Sequence, residues 1–171
     1  MKLRLLLALL AVVQLATSQT KAKTTTKIID KNGYTISYPS NLRADETTMN
    51  GSDFFLFTEK TNAQDNFVEN INLVVQNLAT LNIDLDKFVE ITTGQISTKG
   101  KLIESKRHVM NGTPYHVLVY EGNFDGLQLK FLQYDFVKND KAYILTYSAK
   151  KDAFDTYFVA MANVMNSFNL K

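Results

Sequence analysis

The chain has 171 residues, nineteen Lys and Arg against seventeen Asp and Glu, and no cysteine. So balanced a charge gives no footprint for nucleic acid or an anionic membrane surface. The missing cysteine excludes disulfides, thiolate metal sites and a lipid anchor on a cysteine.

Residues 1–18 read as a secretory signal. Met1-Lys2-Leu3-Arg4 is a basic start, Leu5 to Leu15 is apolar, and Ala16-Thr17-Ser18 supplies small residues before a cut. The apolar run is shorter than the roughly 20 residues of a membrane span, so no stable span is expected after cleavage; the rival reading is an uncleaved anchor. Cleavage is expected between Ser18 and Gln19. It removes Lys2 and Arg4, leaving seventeen charges of each sign. The expected location is secreted or periplasmic. Residues 19–26, with three successive Thr, read as a flexible leader, and 27–171 as one domain whose core must hold it without covalent staples.

Lys27–Asp30 and Tyr34–Tyr38 flank Asn32-Gly33, a type I′ hairpin signal that asks for positive φ at both turn residues. Pro39 ends the second strand. Asn41–Ser52 is polar and reads as a loop. Asp53–Glu59 holds Phe54, Phe55, Leu56 and Phe57, a strand apolar on both faces. After a polar connection, Glu69–Leu78 alternates Ile71, Leu73 and Val75 with Asn70, Asn72 and Gln76, a strand with one wet face. A helix is expected over Leu85–Ser97, N-capped by Asp84 and stopped before Gly100, with Leu85, Phe88, Val89, Thr92 and Ile96 on its apolar stripe.

Four strands then follow as a meander: Lys101–Met110, Tyr115–Asn123, Leu127–Lys138 and Lys141–Ala149. Asn111-Gly112, Asp125-Gly126 and Asn139-Asp140 separate them, and such short connections force antiparallel neighbours. A closing helix begins at Asp152, read as its N-cap, with Asp155 suiting the positive end of the dipole. Phe154, Tyr157, Phe158, Met161, Val164, Met165 and Phe168 fall on one stripe, read as a core-forming face.

Gly33-Tyr34-Thr35-Ile36-Ser37-Tyr38-Pro39 followed by Leu42 resembles the opening hairpin of PsbP-like domains. The order of elements is similar too: a hairpin, two strands, a helix, a four-strand meander and a closing helix ending near Ser167-Phe168. The resemblance covers most of Lys27–Leu170. It implies an α+β fold in which an antiparallel β-sheet, hairpin plus meander, is sandwiched by helices. The family includes extrinsic photosystem subunits, Ran-binding relatives and exported bacterial proteins without an assigned role. Leu42 stands where the family often has Trp, and no photosystem metal-binding or docking residue of the family matches this chain.

The sequence carries no nucleophile elbow, phosphate loop or H-E-x-x-H, so the expectation is a protein that is not an enzyme and holds no cofactor or metal. His108 and His116 lie on neighbouring strands, and a two-residue turn puts them on opposite faces. A hydrolase would need one of them between a hydroxyl and a carboxylate. Glu121-x-Asn123-x-Asp125-Gly126 resembles half of a calcium loop, but position 12 is Leu132, and a hairpin turn explains the residues.

The aromatic meander has two readings. One is a sheet covered by helices on both faces, with Leu129 and Phe131 on one and Leu132, Tyr134 and Phe136 on the other. The other is a pocket between the closing helix and the sheet, with Tyr115, Tyr120, Phe131, Tyr134, Tyr143, Tyr147 and Phe158 as its candidate lining. The functional expectation is therefore an exported, non-enzymatic binding or accessory protein of the cell envelope, its partner an unidentified envelope protein. The alternative is a carrier of a small apolar ligand.

Overall fold

A computed structural model describes residues 24–171. The expected signal, and most of the expected leader, lie outside the described residues.

The four-strand meander follows the sequence reading closely: β6 (Gly100–Met110), β7 (Thr113–Phe124), β8 (Leu127–Lys138) and β9 (Lys141–Lys150), all antiparallel. Its three turns each place two residues at positive φ: Asn111 and Gly112, Asp125 and Gly126, Asn139 and Asp140. These are the residue types that tolerate the left-handed region, and the resulting turn matches the twist of the strands. On the other side of β9 lies β5 (Asn70–Asn77), followed by β4 (Phe54–Phe57) and β3 (Arg43–Asp45). The strand β3 falls within the stretch that reads as a loop. It is three residues long and only one of them is apolar, so no alternation marks it.

The opening hairpin stands apart from this seven-stranded sheet. β1 (Thr26–Lys31) and β2 (Tyr34–Pro39) form a three-stranded sheet with β10 (Asn169–Leu170), a strand of two residues at the chain's end. The leader therefore ends sooner than the sequence suggests: Thr26 is already in β1, and Thr25 bonds to Ser40 through both its N–H and its C=O. The Asn32-Gly33 turn also departs from type I′, since only Gly33 takes a positive φ, of 120°. The C-terminal strand uses this turn, with Lys171 N donating to Gly33 O at 2.9 Å. A Cβ on Gly33 would lie 3.2 Å from the Tyr143 hydroxyl.

Helix α1 (Leu85–Lys99) covers one face of the large sheet, with Leu85, Phe88, Val89 and Ile96 buried. Asp84 caps it as expected, accepting from Lys87 N at 2.9 Å. Replacing Asp84 with Ala should cost about 1 kcal/mol in urea unfolding, whereas Asn should leave stability nearly unchanged.

Helix α2 (Phe154–Met165) and the small sheet cover the opposite face. Its N-cap is Ala153, not Asp152, and no side chain caps it. A tight turn leads out of β9, with Ala153 N donating to Lys150 O and Thr156 N to Ala153 O. Main-chain carbonyls thus take the place of an Asp cap. Asp155 does sit in the first turn, 3.5 Å from the Lys130 ammonium. At the other end the helix stops at Met165, so Phe168 reaches the core from the turn that follows. Ser167 fixes that turn: its Oγ accepts from Ser37 N at 2.9 Å, and its single proton has Val164 O at 2.6 Å and Ser37 O at 2.9 Å within reach. Phe158 is the residue the helical stripe misplaces, being 38% exposed. It lies on the solvent edge of α2, with its ring 5.6 Å from that of Phe154.

Candidate functional site

The aromatic side chains that read as one pocket are divided by the sheet. Pairing of Val117 with Tyr134, Tyr134 with Leu145, and Tyr143 with Phe136 sets Tyr115, Tyr134, Tyr143 and Tyr147 on the α2 face. Tyr120 and Phe131 pair with each other on the α1 face, with rings 4.7 Å apart.

On the α2 face the four Tyr belong to a filled core. Tyr115 stacks on Phe136 at 5.0 Å, and Phe168 packs between Tyr34 at 5.5 Å and Phe136 at 5.3 Å. The phenols find polar partners at its margin: Tyr147 donates to Phe154 O at 2.9 Å and Tyr134 to Asn166 Oδ1 at 3.1 Å. Burial pushes the Tyr134 phenol up to about 12. Tyr134 and Tyr147, buried with hydrogen-bonded hydroxyls, act here as core alongside Phe168.

The α1 face is more polar. Tyr120 donates to Gln133 Oε1 at 3.0 Å, and Gln133 Nε2 donates to Asp135 Oδ1 at 2.8 Å. Asp135 is 0% exposed, and its Oδ2 has no hydrogen-bond partner among the described residues. Burial drives its carboxyl up to about 7, opposed by the Gln133 hydrogen bond. Above the network, beneath α1, is a cavity of about 260 Å³ lined by Tyr120, Gln133, Phe88, Gln95, Ile96 and Ile144, among others.

The two histidines occupy opposite faces, as the register requires. His108 pairs with Tyr115, and His116 with Arg107 and Asp135. His116 Nε2 lies 2.7 Å from Ser105 Oγ, while its buried Nδ1 has no partner among the described residues. Burial and the Arg107 charge hold the His116 pKa below its usual value. So the hydroxyl a hydrolase needs is present, but the carboxylate opposite is not bonded to the ring. The calcium-like stretch is a hairpin turn, in which Asn123 Oδ1 accepts from Gly126 N at 3.0 Å.

A groove does run beside α2, but along its outer flank. The segment from Pro39 to Leu42 and the residues Thr58 and Glu59 after β4 face Tyr157, Ala160, Met161 and Val164 across a chamber of about 280 Å³. A larger hollow of about 680 Å³, bordered by Lys27, Arg43 and Lys60, adjoins the chamber. Asn41, Leu42, Thr58 and Glu59 line both. Of the expected pocket residues none lines this groove. Its own lining comes from β1, the β2–β3 segment, the connection between β4 and β5, and α2, and no spacing in the sequence unites those stretches.

No family model matches the chain, and no curated protein matches it. Solved structures do. Cyanobacterial PsbP from Synechocystis sp. PCC 6803 is 16% identical, with a TM-score of 0.60 over 92% of this chain and 99% of that one. LpqN of Mycobacterium tuberculosis, described as involved in cell envelope biogenesis, is 12% identical, with a TM-score of 0.66 over 87% and 92%. A protein of unknown function from Pseudomonas aeruginosa is 9% identical, with a TM-score of 0.59 over 83% and 94%. The chain thus has a PsbP-like α+β fold, as its opening hairpin and order of elements suggest. Among the described residues no helix is long and apolar enough to cross a membrane.

Proposed function

We propose that this chain is an exported accessory or binding protein of the cell envelope, non-enzymatic and built on a PsbP-like domain. The observation that carries this reading is a signal-type N-terminus in front of a fold shared with LpqN, a protein described as involved in cell envelope biogenesis. Fractionation of the source cell tests it. The chain is expected in the extracytoplasmic fraction with Gln19 as its first residue. Full-length chain in the cytosol would overturn the proposal.

A second reading, a carrier of a small apolar ligand, is supported by one observation: the groove beside α2 has an apolar chamber walled by Leu42, Tyr157, Met161 and Val164.

A further inference from the structure

The groove beside α2 changes character along its length. Its inner chamber is walled by Leu42, Met161 and Val164, with Ala160 and Tyr157 at the helix edge. Its outer hollow has three cations at the border, Lys27, Arg43 and Lys60, against one carboxylate, Glu59. All three cations are exposed. Arg43 is engaged by Asp45 at 3.7 Å and by the Phe57 ring at 4.6 Å. Lys27 and Lys60 form no ion pair among the described residues. Asn41, Leu42, Thr58 and Glu59 border both parts.

An apolar recess bordered by surplus positive charge fits a molecule with an apolar chain and an anionic head. We propose that this groove binds a single-chain anionic amphiphile. The acyl chain lies in the chamber under α2, and the acidic head is held at the border by Lys27, Lys60 and Arg43. This inference rests on the carrier reading and names its ligand class. An anionic head is favoured over a neutral one because the border carries three cations against one carboxylate.

The test is displacement of a fluorescent fatty acid, dansyl-undecanoic acid, from the purified chain 19–171. Laurate is expected to displace it, and dodecanol to do so at least about tenfold less well. Lengthening the chain should strengthen binding by about fourfold per methylene until the chamber is full. The double variant Lys27→Glu, Lys60→Glu should weaken laurate by about tenfold or more and leave dodecanol unchanged. Ala160 is exposed on α2, so Ala160→Trp should close the chamber to both ligands without changing the melting temperature. Dodecanol binding as well as laurate would overturn the anionic head while the carrier reading stands. Displacement by inorganic phosphate alone would reduce the groove to a simple anion site and overturn the chain assignment. Failure of the probe to bind at all would overturn the carrier reading with the inference. None of these outcomes bears on export, which fractionation tests separately.

Discussion

Asp135→Asn makes the protein more stable at pH 8 and removes most of the dependence of its stability on pH between about 4 and 7. The cause is the site of the carboxyl. Asp135 is wholly buried on the α1 face, and its one hydrogen bond, from Gln133 Nε2, leaves Oδ2 unpaired. Burial raises its pKa from 3.8 to about 7. In that window the folded chain holds a proton that the unfolded chain has lost, so stability must fall as pH rises. The contribution is fully present below the unfolded value and is lost through about 7. A rise of that size corresponds to a gross effect on the order of 4 kcal/mol. The Asn variant keeps an acceptor for Gln133 but buries an amide, whose own unmet hydrogen bonds offset part of the gain. A net gain of about 2 kcal/mol at pH 8 is expected, or roughly 4–8 °C in melting temperature for a domain of this size. His116, across the strand pair, works in the opposite sense. Its lowered pKa costs stability as pH falls below 6.5, so it blunts the acid end of the wild-type profile. The other charges at this place, Arg107 and Asp86 of α1, are paired with each other. Thermal melts at half-unit steps from pH 4 to 8 check the prediction, and parallel profiles for variant and wild type would refute it.

Local rules made much of this fold readable. The meander announces itself through three turn pairs, and Asp84 through its place before an apolar stripe. What escaped is decided by partners distant in sequence. β3 and β10 exist because β4 and β2 offer them unpaired edges, and their own residues carry no pattern. The aromatic residues of the meander show the limit most clearly. Tyr115 and Tyr134 sit on one face and Tyr120 and Phe131 on the other. Strand parity alone fixes that division, but which face is filled depends on Phe168 and Tyr34, contributed by opposite ends of the domain. Asp135 did leave a trace, as a charged residue inside the apolar run Phe131–Val137, though nothing local says whether such a charge is paired. The groove left almost none, since Lys27, Thr58 and Ala160 meet only after folding.

Phe158 and Phe168 give that difference a measurable form. Both belong to the stripe of seven that the sequence presents as one face, and from the stripe alone both would be expected to cost about 3–5 kcal/mol on truncation to Ala. The structure separates them. Phe168 is 0% exposed and its ring contacts Tyr34, Phe136 and Tyr143, so removing it opens a void at the point where the small sheet meets the large one. Phe168→Ala should cost the full 3–5 kcal/mol, because Ser167, held to Ser37, prevents the turn from collapsing into the space. Phe158 is 38% exposed and has already kept part of its surface in water, so Phe158→Ala should cost about 1 kcal/mol or less. Urea unfolding of the two variants side by side decides the matter. Equal losses would mean that α2 is rotated about its axis from the orientation described, and that the wall of the groove formed by Tyr157, Ala160 and Met161 would have to be redrawn with it.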